Sequence, residues 1–292
     1  MARSSAGETM TARAGPAPPA LVFTDLDGTL LDDDYRFDAA ASALERIRAL
    51  RIPLILTSSK TLPEMRGLRV ALRLDDPLIF ENGAGVAIPR GHFDATLEAA
   101  AGAPLEVEVF GPTYAELRAI LVDLRERHRY PFRGFGDMSP TEVARHTGLD
   151  EVSAARARHR SGSEPGLWQG STAQREDFIR DLARHDLRAV QGGRFLHVMP
   201  RVDKAEAMTY LTRLYRELWP DATLPVIAAG DSPNDLDMLR AADRAVVIRR
   251  PDGRWMSVEK STARMEGIVR SQEPGPRGWA PSIHQILDEL GL

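Results

Sequence analysis

Two aspartates one residue apart close an apolar run in the stretch Leu21 to Leu31, LVFTDLDGTLL. Leu21, Val22 and Phe23 predict a buried strand and Gly28-Thr29 the breaker that ends it, so Asp25 and Asp27 fall at the strand's carboxyl end. Side chains two apart on an extended chain share a face. Both carboxylates are therefore expected to point the same way, at the edge where open α/β sheets bind ligands. Like charges that close repel unless a cation lies between them, and hard oxygen ligands suit magnesium. A surface Asp-x-Asp in a turn accounts for this motif alone equally well. A second stretch breaks the tie: Pro225 to Leu239, PVIAAGDSPNDLDML. Val226 to Ala229 predict another strand, Gly230-Asp231 brings a carboxylate to its end, and Ser232-Pro233-Asn234 turns into a helix starting at Asp235. Taken alone, Asp231 suits a helix cap better than catalysis.

Together these stretches resemble, in residue type, order and spacing, the first and last motifs of the haloacid dehalogenase-like (HAD) phosphatases. Between them, the strand Pro53 to Leu56 ends in Thr57-Ser58-Ser59-Lys60. A hydroxyl there can donate to a phosphate oxygen or cap the helix from Pro63 onward, and Ser58 aligns with the family's second motif. Asp203-Lys204 opens a helix over Ala205 to Trp219. An ammonium at a helix start opposes the helix dipole, which points to a reason outside the helix, and Lys204 resembles the third motif.

The resemblance implies an α/β fold: a doubly wound, Rossmann-like, mostly parallel sheet with an inserted α+β cap domain. It also implies a phosphatase in which Asp25 attacks phosphorus and Asp27 protonates the leaving alkoxide and later takes a proton from water. Mg2+ would bind Asp25, Asp231 and the backbone carbonyl of Asp27, with Asp235 in the metal shell. Lys204 and Ser58 would hold phosphate oxygens, and Asn234 and Asp235 would position Lys204 and the metal.

The elements that must carry these residues follow along the chain. Phe37 to Leu50 predicts a crossover helix and Pro77 to Phe80 a third strand, running into the turn Glu81-Asn82-Gly83-Ala84-Gly85 that in the sugar-phosphatase branch precedes the cap. Asn82 is a candidate substrate contact there. From Arg90 the pattern changes: a half-buried strand over Leu105 to Phe110, helices over Tyr114 to Arg129 and Thr141 to Thr147, and glycine-rich connections. The expected division is a tail over 1–19, a core over 20–89 and 195–292, and a cap over 90–194. A strand over Phe195 to Met199 returns to the core, Ala245 to Ile248 close the sheet, and a final helix covers Pro281 to Leu290.

Within the cap, RGFGDM (Arg133 to Met138), the triplet Ser163-Glu164-Pro165, the run Gly192 to His197, and PGPRGW (Pro274 to Trp279) in the core resemble the mannosyl-3-phosphoglycerate phosphatase family. That resemblance implies a sugar phosphate substrate with a glyceryl carboxylate, read by Arg133, Gly134, Arg160 and Ser163. A planar guanidinium fork suits both carboxylate and phosphate. The chain departs from the pattern at Ser161-Gly162 and around Trp168 to Ser171, which bears on the sugar and not on the core chemistry.

Composition narrows the field further. With 292 residues, 38 Lys plus Arg against 42 Asp plus Glu and a net charge of −4, the chain has no general attraction to nucleic acid or anionic membrane. It has no cysteine, so the cytoplasm is the simplest address. Residues 1–19 lack the apolar region of a secretory signal and read as a disordered tail. Competing readings are a phosphatase for glucosyl-3-phosphoglycerate, sucrose phosphate or a hexose phosphate, a phosphomannomutase, and a phospho-accepting receiver module. The receiver needs no cap, and about 100 residues are inserted between motifs here.

Overall fold

The computed structural model describes residues 16–94, 102–192, 194–258 and 267–292. Four short strands, β1 (Leu21–Thr24), β2 (Leu54–Thr57), β3 (Leu78–Phe80) and β4 (Gly85–Pro89), run through its core with almost every residue buried. Such continuous burial means that both faces of the sheet are covered, as the crossovers of a parallel sheet require. Val22 packs with α1 (Ala41–Ala49) and α2 (Leu62–Ala71) on one face, while Leu21 and Phe23 point into a second cluster on the other. Thr61 and Glu64 form a capping box at α2, so none of the three hydroxyls Thr57 to Ser59 is needed as the cap.

β5 (Leu105–Val109) pairs antiparallel with β4 and so extends the core sheet. The chain then crosses into the cap at 110–113. There, α3 (Tyr114–His128), β6 (Phe132–Gly134), α4 (Pro140–Thr147), α5 (Glu151–Arg158), β7 (Glu164–Trp168), α6 (Thr172–Ala183), β8 (Leu187–Gly192) and β9 (Phe195–Pro200) follow in order. The cap sheet has the order β6-β7-β9-β8, with α3 and α6 closing a core of Leu117, Leu121, Phe178 and Leu182 over Phe132 and Val198. After a second crossing at 201–203 come α7 (Lys204–Leu218), β10 (Val226–Gly230), α8 (Leu236–Ala241), β11 (Arg244–Arg249), β12 (Gly267–Pro274) and α9 (Gly275–Glu289). The core sheet reads β12-β11-β10-β1-β2-β3-β4-β5, with β10 and β2 parallel to β1 on either side. Trp279 of α9 is fully buried and its indole N–H donates to Thr24 Oγ1 at 3.0 Å, directly before Asp25.

The fold class matches the expectation, and several boundaries move. Leu105 to Val109 belongs to the core sheet rather than the cap, and Phe195 to Pro200 to the cap sheet rather than the core. Both strands pair with neighbours that periodicity alone does not reveal. The sheet ends not at Ala245 to Ile248 but one strand further, at β12. The final helix, expected from Pro281, begins at Gly275: Pro274 is the N-cap and Pro276 sits in the first turn, where its missing N–H costs nothing. Of the expected tail, residues 1–15 lie outside the described residues, whereas Pro18 is buried and Ala17 packs against the core. Among the described residues no helix is long and apolar enough to cross a membrane.

Candidate active site

Three carboxylates meet at the ends of β1 and β10. Oxygens of Asp25, Asp231 and Asp235 all lie within 4.8 Å of one another. Asp25 is carried there by the parallel pairing of β1 with β10, which continues as its N–H donates to Ala229 O at 2.9 Å. Lys204, first residue of α7, lies in the middle of the cluster, with Nζ 2.6 Å from Asp25 Oδ1 and 2.6 Å from Asp235 Oδ1. The ammonium that opposes its helix dipole is thus held by two acids from other elements. Asp203 supplies the helix with its proper cap, accepting from the N–H groups of Ala205 and Glu206.

Asp235 is fully buried and saturated: its other oxygen accepts from Asp231 N at 3.2 Å and Ser232 N at 3.1 Å. It therefore folds the loop after β10 and fixes the lysine. Charge balance in this pocket is poor, with three acids against one ammonium. Burial, then the neighbouring Asp235, pushes the Asp25 carboxyl well above the ordinary carboxylate range, against the pull of Lys204. Asp231 rises to about 6 for the same two reasons. At Lys204, burial works to discharge the ammonium, but Asp235 and Asp25 outweigh it and its pKa is raised.

Asp27 departs from its expected direction. The chain leaves the extended conformation after Thr24 and turns, with Thr29 N and Leu31 N both donating to Leu26 O. The two-residue alternation ends there, so Asp27 is half-exposed and points to Lys60, 3.0 Å away, whose ammonium also lies over the Tyr35 ring. Its carboxylate is not part of the acidic cluster. Gly28 has φ +75° and any Cβ there would press on Asp231 Oδ2 at 3.1 Å, so the turn needs glycine to bring the two strand ends together.

Curated relatives settle the family. Over 269 residues the chain is 35% identical to a "Glucosyl-3-phosphoglycerate/mannosyl-3-phosphoglycerate phosphatase" of Methanococcoides burtonii, covering 91% of this chain and 97% of the relative. A protein of the same name from Persephonella marina is 33% identical over 276 residues, covering 92% and 98%. Residues 22–97 match the family model described as haloacid dehalogenase-like hydrolase, and residues 179–284 that of sucrose-6F-phosphate phosphohydrolase. The chain belongs to the haloacid dehalogenase-like hydrolases. Solved structures agree on the fold. A sucrose-phosphatase from Synechocystis superposes with a TM-score of 0.57 at 15% identity, covering 94% of this chain and 98% of that one. A haloacid dehalogenase-like hydrolase from B. subtilis gives 0.59 at 16%, covering 91% and 99%.

In this hydrolase the remaining expected residues separate into two groups. Ser58 is buried beside the cluster's strand end, its hydroxyl accepting from Lys60 N at 3.2 Å. Asn82 and Asn234 join across the mouth of the site, Asn234 Nδ2 donating to Asn82 Oδ1 at 2.9 Å. They line a cleft of about 500 Å³ between core and cap, together with Ser59, Arg188, His197 and Asp203. Arg160 is presented to the same seam, donating to Ser59 O at 3.1 Å. Arg133, by contrast, is engaged within the cap by Glu142 at 2.5 Å, and the N–H of Gly134 donates to Asp137 Oδ2 at 3.0 Å. Ser163 is buried and donates to Glu81 at 2.7 Å, which uses its hydroxyl proton inside the fold. All three therefore have partners within the protein.

The sequence does not single out Arg188, and His197 enters only as the last residue of the Gly192 to His197 run. Both lie on the cap sheet facing the cleft, and only the pairing of β8 with β9 puts Arg188 and His197 near each other. Burial, then the nearby Arg160, holds His197 down to about 4, so its ring is neutral at pH 7. The Nε groups of Arg160 and Arg188 are buried without a hydrogen-bond partner among the described residues. Arg188 thus lines the cleft while its guanidinium donates to Val202 O at 2.9 Å, and Arg160 lies at the seam beside it.

Proposed function

We propose that this hydrolase removes phosphate from a glycosyl-3-phosphoglycerate, mannosyl-3-phosphoglycerate first, through an aspartyl phosphate on Asp25. The observation that carries the reading is the arrangement of two unlike sites across one seam: a buried Asp25-Lys204-Asp235 cluster below and, above, a cleft lined by Arg188 with Arg160 beside it. The phosphate belongs to the first and the glycerate carboxylate to the second, with Arg188 and Arg160 as its partners. A carboxylate leaving solvent needs such charge-assisted donors. The names of the curated relatives support the same substrate class and cover both sugars.

The chain's own residues suggest the order of events. Lys204 grips one oxygen of Asp25 and leaves the other for in-line attack, so a P–O bond to Asp25 forms as the bond to the leaving alkoxide breaks. Asp27 then gives the alkoxide its proton, which requires it to swing from Lys60 towards the cleft. In the second half, Asp27 takes a proton from water as that water attacks phosphorus and frees Asp25. Ser58 and Lys204 hold phosphate oxygens meanwhile, and the cap limits entry of water.

The donor set fits a divalent cation. Hard carboxylate oxygens converge, burial raises the pKa values of Asp25 and Asp231, and the charge of Lys204 is insufficient to balance the three acids. Asp25 and Asp231 would hold it, since both oxygens of Asp235 are already engaged. Bound magnesium would lower the repulsion between an anionic nucleophile and an anionic substrate.

Phosphate release across mannosyl- and glucosyl-3-phosphoglycerate, sucrose phosphate and hexose phosphates, with and without chelator, tests the proposal. The phosphoglycerates should be preferred and chelation should remove activity reversibly. Preference for a plain hexose phosphate, an isomerised sugar in place of free phosphate, or full activity in excess chelator would refute it.

A further inference from the structure

The turn after β3 touches three parts of the site at once. Glu81 is buried and has φ +50°, a left-handed conformation that a glutamate rarely adopts and that persists only where its surroundings impose it. Its carboxylate accepts from Ser161 N at 2.8 Å, Gly162 N at 3.1 Å and Ser163 Oγ at 2.7 Å. All three donors come from the cap segment between α5 and β7. That segment is neither of the two chain crossings at 110–113 and 201–203, so Glu81 adds a tether between the domains beyond them.

The next two residues of the turn face the core's own machinery. Asn82 accepts from Asn234, in the loop that ends at Asp235. Gly83, at φ +93°, lies so close to the backbone of Asp203 and Lys204 that no Cβ would fit. Three consecutive residues therefore register the cap, the acidic loop and the start of α7 against one another. The tethered cap segment begins directly after Arg160, whose guanidinium reaches Ser59 O. A shift of this segment would move the cleft's arginine relative to the phosphate site.

We propose that Glu81 is a positioning residue: it sets the pose of the cap over Asp25 and so governs turnover of substrates that span both domains. This rests on the phosphatase reading above. A substrate held by the core alone should not depend on it.

The test compares Glu81→Gln with wild type on mannosyl-3-phosphoglycerate and on p-nitrophenyl phosphate, together with amide exchange at Ser161 and Gly162. The amide keeps the volume but replaces one acceptor oxygen by an NH2 donor that faces the three existing donors. Losing charge-assisted bonds of this kind corresponds to a fall of about ten- to a hundredfold in kcat/KM on the phosphoglycerate, expected mainly in KM. Turnover of p-nitrophenyl phosphate should stay within about twofold, and exchange at both amides should quicken about tenfold or more. A second variant, Gly162→Ala, guards against a Glu81 variant that does not fold. Its Cβ would press on Val109 Cγ1 at 2.9 Å and Ala84 Cβ at 3.2 Å, wedging the segment away with the carboxylate intact, and should give the same split. Equal losses on both substrates, or no loss on either, would overturn the role of Glu81. A wild-type protein that hydrolyses no phosphoglycerate ester would overturn the functional reading instead.

Discussion

Replacing Lys204 by methionine tests the electrostatic account of the site most directly. The ammonium lies 2.6 Å from both Asp25 and Asp235, at a position only 1% exposed. At an effective dielectric constant of about 20, each contact is worth roughly 6 kcal/mol of Coulomb energy, most of it offset by the cost of burying the charges. Removing one partner of such a group leaves carboxylates buried and unpaired, which costs about 3–5 kcal/mol. The Lys204→Met protein is therefore expected to be less stable by about that amount in urea unfolding at pH 7.5 without divalent cations. The deficit should shrink on acidification. Carboxyls raised in the native state make the native variant bind more protons than its unfolded chain between the unfolded carboxylate range and their own higher pKa, so stability returns as pH falls. A recovery of about 1.5 kcal/mol or more is expected at pH 5, equivalent to roughly one pKa unit. Adding Asp235→Asn to the variant should cost less than in wild type, with a coupling of about 1.5–3 kcal/mol. Phosphate release should fall by a factor of about 10²–10³ or more. A stability loss equal at pH 5 and pH 7.5, and indifferent to Asp235→Asn, would show that Lys204 supports its helix and does not neutralise the acids.

Three further outcomes are expected. Asp25→Asn should abolish phosphate release and leave the unfolding transition cooperative, because the swap keeps the volume and removes charge from a cluster with an excess of acids. Arg188→Ala should lower kcat/KM on a glycosyl-3-phosphoglycerate about ten- to a hundredfold more than on a hexose phosphate, whereas Arg133→Ala, paired with Glu142, should affect both about equally and weakly; the reverse pattern would move the carboxylate site to Arg133. His197, neutral down to about 4, stabilises the fold fully above pH 6.5 and loses that contribution as pH falls towards 4. His197→Gln should flatten this dependence by on the order of 1–2 kcal/mol after allowance for partial solvent screening, measured by urea unfolding at pH 7 and pH 4.5.

The clustering of Asp25, Asp231, Asp235 and Lys204 was legible because these residues lie in short contiguous motifs. DLDGT, the lysine after Asp203 and GDSPND each lie at one strand end or helix start, and parallel strand order then brings the ends together. What misled was local geometry: period-two alternation put Asp27 beside Asp25, but a turn begins one residue after the strand and sends Asp27 to Lys60. The cap was harder. Arg133 carries the right charge in a glycine-rich run, yet Glu142, nine residues on, takes it up as a partner. Arg188 and His197 sit in ordinary strand patterns and become neighbours only when β8 and β9 pair. Glu81 was visible as part of a turn, but its donors lie 80–82 positions away and no spacing announces them.

The strand order also has a consequence for how the chain is made. The strand that carries Asp25 leaves the ribosome well before β10, its neighbour on one side, which is more than two hundred residues behind. The hydrogen bond beneath its last residue comes from Trp279, 255 positions later than Thr24. Until then one edge of β1, apolar on both faces, stays open to mispairing, and so distant a contact is slow to form. The cap, with its own sheet and helices between the two halves, can fold while the core waits. Nascent chains stalled within the cap should accordingly be bound by holdase chaperones at Leu21 to Thr24, and released when α9 emerges.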